Sequence, residues 1–280
     1  MTAPLFPFPY YGGKVRMLDF IHEHLPMGHG FVDLFGGSAV VALSVSHKFK
    51  KIVYNDIDER IVNFFRVVRD RHEELMERLA LTPTARAEYM ACAEKADDPL
   101  EDARRVFIRI NQSFSNVGLW APSSGWRTPA PMSNMSTARE TINKAERLPE
   151  IADRLRRMNL ENRDWRYIVK AYSHRNTVIF ADPPYDLAAR RSKAYGHEMT
   201  DMDHVDLAFA LKESPSAAMV AGYRSELYDE LYKDWRREER QYRCHQSASK
   251  SNAKAVSIRT ECLWIKDIRT PAASLLGDAP

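Results

Sequence analysis

The chain has 280 residues and is 44% hydrophobic, 28% charged and 10% aromatic, which excludes a disordered or collagen-like chain and allows about two domains. Its longest uncharged apolar run, Leu34 to Ser46, has thirteen residues, short of the about 20 a membrane helix needs. A net charge of +3 is too small to argue for nucleic acid, but residues 101–170 hold thirteen Lys or Arg against eight Asp or Glu, a local +5.

The N-terminus, MTAPLFPFPYYGGK, lacks a basic region ahead of an apolar core, so no signal peptide is expected and the expected compartment is the cytoplasm. Cys92, Cys244 and Cys262 are far apart without CxxC spacing. They read as reduced, inert thiols and cannot form a zinc site among themselves.

FVDLF (31–35) predicts a strand, Ser38 to Phe49 a helix, KIVYN (51–55) a strand and Ile57 to Asp70 a helix. Such alternation implies βαβ units and a parallel sheet. Residues 72–112 then read as helices, broken near Pro83 and at Asp98-Pro99. Residues 113–136, rich in Ser, Pro, Gly and Asn with two tryptophans, form a long loop of the kind that is functional or disordered. Helix returns over 137–157, with a strand at Met158 to Glu161. Further strands are expected at 177–182, 217–223, 238–244 and 256–265, and a helix at Asp201 to Lys212. The expected architecture is a discontinuous α/β domain (1–71 and 158–270), a helical insertion (72–157) and a loose tail (271–280).

Four segments carry chemistry. DPPY, Asp182 to Tyr185, follows a strand. A residue before proline is pushed toward extended backbone, and two prolines in succession have fixed φ and no N–H. The stiff loop presents the Asp182 carboxylate and the Pro183 carbonyl as acceptors for a group with two N–H donors, such as a base's exocyclic amine, and Tyr185 is placed to stack on that base. In VDLFGGSAV (32–40) a strand enters Gly36-Gly37 and a helix follows, the place where a Rossmann-like backbone approaches a nucleotide, although GxGxxG is not met. In YNDID (54–58), Asp56 stands 19 positions after Gly37, suiting a ribose-binding carboxylate or a helix N-cap. YYGGK (10–14) is not a phosphate loop, because Phe8 stands where the first glycine is needed and Val15 follows the lysine.

Together these segments, in this order, resemble the α-group, or Dam-type, DNA adenine methyltransferases. RSKAYGHEMTDMDHVDLAFAL, GYRSELYDELY and RTECLWI resemble the subset often found in bacteriophages and prophages. The resemblance spans roughly residues 6–266. It implies a Rossmann-like S-adenosylmethionine-dependent methyltransferase sheet carrying a target-recognition insertion, and methyl transfer to adenine N6 in duplex DNA, without an obligatory metal. It implies that Tyr10, Lys14, Asp33, Phe35, Gly37, Asp56, Asp164, Trp165 and Asp182 surround the cofactor, and that Asp182, Pro183, Pro184 and Tyr185 hold the target amine. Ala39 replaces the family's second loop glycine, which implies a weaker cofactor contact there.

An aryl amine's lone pair is delocalised, so two acceptors that orient the nitrogen toward a methyl donor supply catalysis by positioning. An adenine in a duplex is inaccessible and has to be flipped out. The insertion is the expected DNA reader. Arg104, Arg105 and Arg109 are expected on a helix surface against phosphates, and Asn116, Trp126 and Arg127 are expected to reach base edges. The alternatives are methylation of cytosine N4 or of RNA, or a catalytically weak DNA-binding regulator of the same fold.

Overall fold

The computed structural model describes residues 3–10, 12–121, 124–128, 136–184, 198–245 and 256–267. Its strands are β1 (Gly30–Asp33), β2 (Lys51–Asn55), β3 (Met158–Glu161), β4 (Thr177–Ala181), β5 (Ala217–Tyr223), β6 (Arg236–His245) and β7 (Val256–Lys266). They form one seven-stranded sheet in the order β3-β2-β1-β4-β5-β7-β6. Neighbours from β3 through β5 pair in parallel, and β7 runs antiparallel to both β5 and β6. The expected α/β fold is therefore present, with one reversed strand, β7, next to the edge strand β6.

β4 is buried along its whole length, which is why TVIFA reads as a continuous apolar run. Side chains still alternate between faces. Phe31, Ile52 and Phe180 enter one core, while Val32, Val53 and Ile179 enter the other.

The helices are α1 (Leu18–His24), α2 (Val40–Val45), α3 (Glu59–Ala80), α4 (Arg86–Ala91), α5 (Pro99–Asn111), α6 (Thr137–Ala145), α7 (Leu148–Leu155), α8 (Trp165–Tyr172), α9 (Asp201–Glu213) and α10 (Glu226–Leu231). The Asp58 carboxylate caps α3 by accepting from the Arg60 and Ile61 N–H groups. Asp98 caps α5, with Pro99 in its first turn, the signal that marks this boundary in the sequence. The expected division at residues 71/72 falls at a kink inside α3, where Arg71 leaves helical geometry (φ −142°, ψ 33°). Phe107 of α5 and Leu148 and Ile151 of α7 share one core cluster with Phe31 and Tyr54 of the sheet. The helices α5 and α7 thus bury apolar faces against the sheet.

The helix expected over Ser38 to Phe49 is shorter, because Ala39 adopts a left-handed φ of +59° at its start and residues 46–49 turn toward β2. In register, Asp33 lies opposite both Tyr54 and Phe180, so the segments that follow β1, β2 and β4 emerge at one edge of the sheet. Strand order reverses between β1 and β4, and this switch point is where open α/β sheets bind ligands.

Candidate active site

At that edge, Tyr10, Lys14, Asp33, Phe35, Gly37 and Asp182 line one cleft. Lys14 begins a short 3-10 turn and is 3% exposed. Its Nζ donates to the Gly12 carbonyl (2.8 Å) and lies 2.7 Å from Asp182 Oδ1. The ammonium therefore fixes the orientation of the DPPY carboxylate, a pairing the sequence did not reveal. Gly37 has φ +49°, and a Cβ there would fall 3.0 Å from the Tyr10 ring. Gly36 has even less room, because a Cβ would fall 2.1 Å from the Tyr54 ring. Both glycines are required by close approach rather than by a GxGxxG pattern.

Asp33 is buried at the end of β1, and its Oδ2 accepts from the Ala42 N–H (3.1 Å). Burial pushes its carboxyl up to about 7; the Ala42 N–H opposes this, and the Asp182 and Asp56 charges add to it. An unfolded-state aspartate titrates near 3.9. Between these values the native state holds a proton that the unfolded chain has lost, so stability falls as pH rises through the window. The expected slope from Asp33 is about 1.4 kcal/mol per pH unit between roughly pH 4 and 7. Urea unfolding of Asp33→Asn should lack that component; an unchanged slope would show that Asp33 ionises normally.

Asp56 is held in the loop network. Its Oδ2 accepts from the Gly37 N–H (2.8 Å) and its Oδ1 from the Asp58 N–H (2.9 Å). The N-cap alternative for Asp56 is corrected: Asp58 caps α3, and Asp56 instead braces the glycine turn. Tyr54 Oη donates to the Gly37 carbonyl (2.8 Å), which fixes the turn from its other side. Ala39 packs into the apolar core and does not line the cleft, so its methyl does not crowd this site.

The long loop contributes a residue that sequence reading passed over. Trp120 Nε1 donates to Asp58 Oδ2 (2.6 Å), and its ring meets Tyr10 edge-on at 4.9 Å. The only signal was a second tryptophan in a polar loop. This contact seats the insertion's loop beside the cleft.

Asp164 and Trp165 line an adjoining cleft of about 640 Å³ with Ile57 and Pro184, and Phe35 belongs to both clefts. Asp164 also caps α8 by accepting from the Arg166 N–H (2.8 Å). Pro183 is buried and Pro184 half-buried after β4; Tyr185 lies outside the described residues, as does the expected tail.

A family model for D12 class N6 adenine-specific DNA methyltransferases matches residues 10–246. The chain belongs to that family. It is therefore an adenine-specific DNA methyltransferase, and DPPY lies within the matched span. It is similar to the type II methyltransferase M.MjaIII of Methanocaldococcus jannaschii, with 24% identity over 225 residues, 70% of this chain and 75% of that one. It is also similar to the type II methyltransferase M1.LlaDCHI of Lactococcus lactis subsp. cremoris, with 26% identity over 243 residues, 80% and 83% of the two chains. Among solved structures, the precorrin 8W decarboxylase of Methanobacterium thermoautotrophicum aligns with a TM-score of 0.40 and 8% identity over 91% of this chain and 90% of that one, too loosely to carry an argument.

The arginines of this methyltransferase's insertion are not arranged as expected. Arg109 is 1% exposed and does not lie on a helix surface. Its Nε and Nη2 donate to the Gly118 carbonyl (3.1 and 2.6 Å), and its guanidinium sits 4.0 Å from the Tyr89 ring centre. A group so enclosed cannot meet a phosphate, and Arg109 is corrected to a structural staple. Arg104 pairs with Glu88 and Glu101, and Arg105 with Glu101. These carboxylates compete with any phosphate for both side chains.

In the loop expected to reach base edges, Ser113 bridges to Trp126, and Trp126 Nε1 donates to Gln112 Oε1 (3.3 Å). Arg127 pairs with Glu140. Asn116 has φ +58°, and its buried Oδ1 has no hydrogen-bond partner among the described residues.

Proposed function

We propose that the cleft between β1 and β4 holds S-adenosylmethionine beside a flipped-out adenine, whose N6 is presented to the methyl by Asp182 and the Pro183 carbonyl. The observation that carries this reading is the convergence of Lys14, Asp33, Gly37 and Asp182 on one cleft at the switch point. These residues fit the cofactor. Gly36 and Gly37 leave no space for a side chain, so backbone can approach a ligand closely. The buried Asp33 carboxylate suits a cationic ligand, and the adjoining cleft offers Trp165 and Phe35 to an adenine ring. When bound, S-adenosylmethionine supplies an electrophilic methyl on a sulfonium.

The chain's own part is positioning. Lys14 holds Asp182 at 2.7 Å, so the carboxylate meets the target amine without reorganising. Asp182 and the Pro183 carbonyl accept the two N6–H groups and turn the nitrogen lone pair toward the methyl. Asp182 is also the acceptor in place for the proton that N6 gives up. The seating of Trp120 against Tyr10 brings the insertion's loop to the edge where the adenine leaves its duplex. The compartment proposed for this reaction is the cytoplasm.

Calorimetric titration with S-adenosylmethionine tests the cofactor half of this reading. Asp56→Ala should weaken cofactor binding about ten- to a hundredfold, the equivalent of roughly 1.5–3 kcal/mol for a charge-assisted bond, and affect duplex affinity less. Unchanged cofactor affinity would confine Asp56 to bracing the Gly37 turn.

Arg127 and Asn116 are proposed as base readers, with Glu140 holding Arg127 until DNA displaces it. Arg127→Ala should cost about 1–3 kcal/mol on the preferred site and relax discrimination at one base pair. Equal losses on specific and scrambled duplexes would move sequence reading elsewhere in the chain.

A further inference from the structure

A broad cleft opens at the opposite end of the sheet, beside the amino ends of β1, β2 and β4. His29, Lys50, Lys51, Arg157 and His174 line it together with Asn176, and among the described residues no Asp or Glu does. All five basic side chains are exposed, and none forms an ion pair among the described residues. The lining Tyr172 occupies the nearby Glu161 carboxylate through its hydroxyl (2.7 Å). Lys48 and Arg175, also exposed, adjoin the lining in sequence. The contrast with the insertion is sharp, since Arg104, Arg105 and Arg127 are all matched by carboxylates there. Lys50, Lys51 and Arg157 thus form a cationic patch without ion-pair partners among the described residues, on the face away from the catalytic cleft.

Concentrated unpaired cations in a concave, amide-bearing surface attract phosphates, and release of condensed counterions favours a polyanion. β1 has four residues, so its amino end at Gly30, where this cleft opens, lies about 13 Å along the strand from the glycine turn. A duplex lying straight across the carboxyl edge cannot also fill the amino-edge cleft. We propose that the amino-edge cleft binds backbone phosphates of a second segment of duplex DNA, so that one chain holds two segments at once. The inference uses the DNA substrate of the family but does not depend on the role given to Asp182.

Sedimentation at low salt, with an excess of a duplex about one helical turn long, tests it. The wild type should carry two duplexes per chain, the second lost as salt is raised, as expected of sequence-independent phosphate contacts. The double variant Lys50→Gln/Arg157→Gln should carry one and methylate the short duplex at the wild-type rate. On long DNA it should reduce the salt slope of binding by about two. His174→Gln, on a different segment, should weaken the second duplex independently. One duplex per wild-type chain, or a second duplex that persists in the double variant, would overturn the proposal. So would tight binding of tripolyphosphate with no second duplex, which would make the ligand a small phosphoanion. Loss of methylation by a folded double variant would also overturn it, by placing these cations in substrate turnover.

Discussion

Asp182→Ala is expected to lower methyl transfer by about a hundredfold or more while leaving duplex affinity within a few-fold. The first effect follows from positioning, because loss of one acceptor leaves the target amine free to rotate away from the methyl, and a misplaced reactant costs about that much. The second follows from location: the carboxylate stands in the cleft, bound to Lys14, and repels phosphates rather than attracting them. The alanine variant also strands the buried Lys14 ammonium without its partner, which can destabilise the fold. Asp182→Asn separates these outcomes, since it keeps an oxygen facing Lys14 and loses the charge. Single-turnover methylation measured beside a melting curve checks both variants. Turnover above roughly a tenth of wild type in a folded variant would remove Asp182 from the reacting centre.

Arg109→Ala should destabilise the protein by about 2–5 kcal/mol, the range for emptying a large buried site whose hydrogen-bond partners are left behind. The guanidinium ties three segments together. It packs on the Tyr89 ring and donates to the Tyr89 carbonyl of α4 (3.3 Å), extends from α5, and donates twice to Gly118 of the loop. Gly118 is itself closely packed, since a Cβ there would fall 2.5 Å from the Arg109 carbonyl. Tyr89 completes the staple by donating to the Ser124 carbonyl (2.7 Å). Urea unfolding gives the magnitude. The salt slope of DNA binding, taken where the variant is still folded, should match wild type, whereas a phosphate contact would reduce it by about one. A reduced slope with unchanged stability would restore Arg109 to the DNA interface.

The sheet was legible because its signals are local. FVDLF, KIVYN and TVIFA are short apolar runs bounded by turn residues, and Asp98-Pro99 marks a helix start by its capping chemistry. α8 and α10 were passed over; they have eight and six residues, too short for a periodic apolar stripe to stand out. The candidate cofactor residues were legible as motifs whose order alone is distinctive. Their mutual arrangement was not, because the Lys14–Asp182 pair closes across most of the chain and only packing brings it together. The burial of Arg109 was hidden for the same reason. Three nearby arginines in a helix look alike in sequence, and their fates depend on where Glu88, Glu101 and Gly118 come to rest.

Asp182 and the Pro183 carbonyl are proposed to present adenine N6 to the methyl donor. Incubation of duplex DNA with labelled S-adenosylmethionine, digestion to nucleosides and mass analysis tests it most directly. The expected product is N6-methyladenine from the wild type and essentially none from a folded Asp182→Asn variant. Methyl recovered on cytosine N4, or N6-methyladenine formed equally well by Asp182→Asn, would contradict the account.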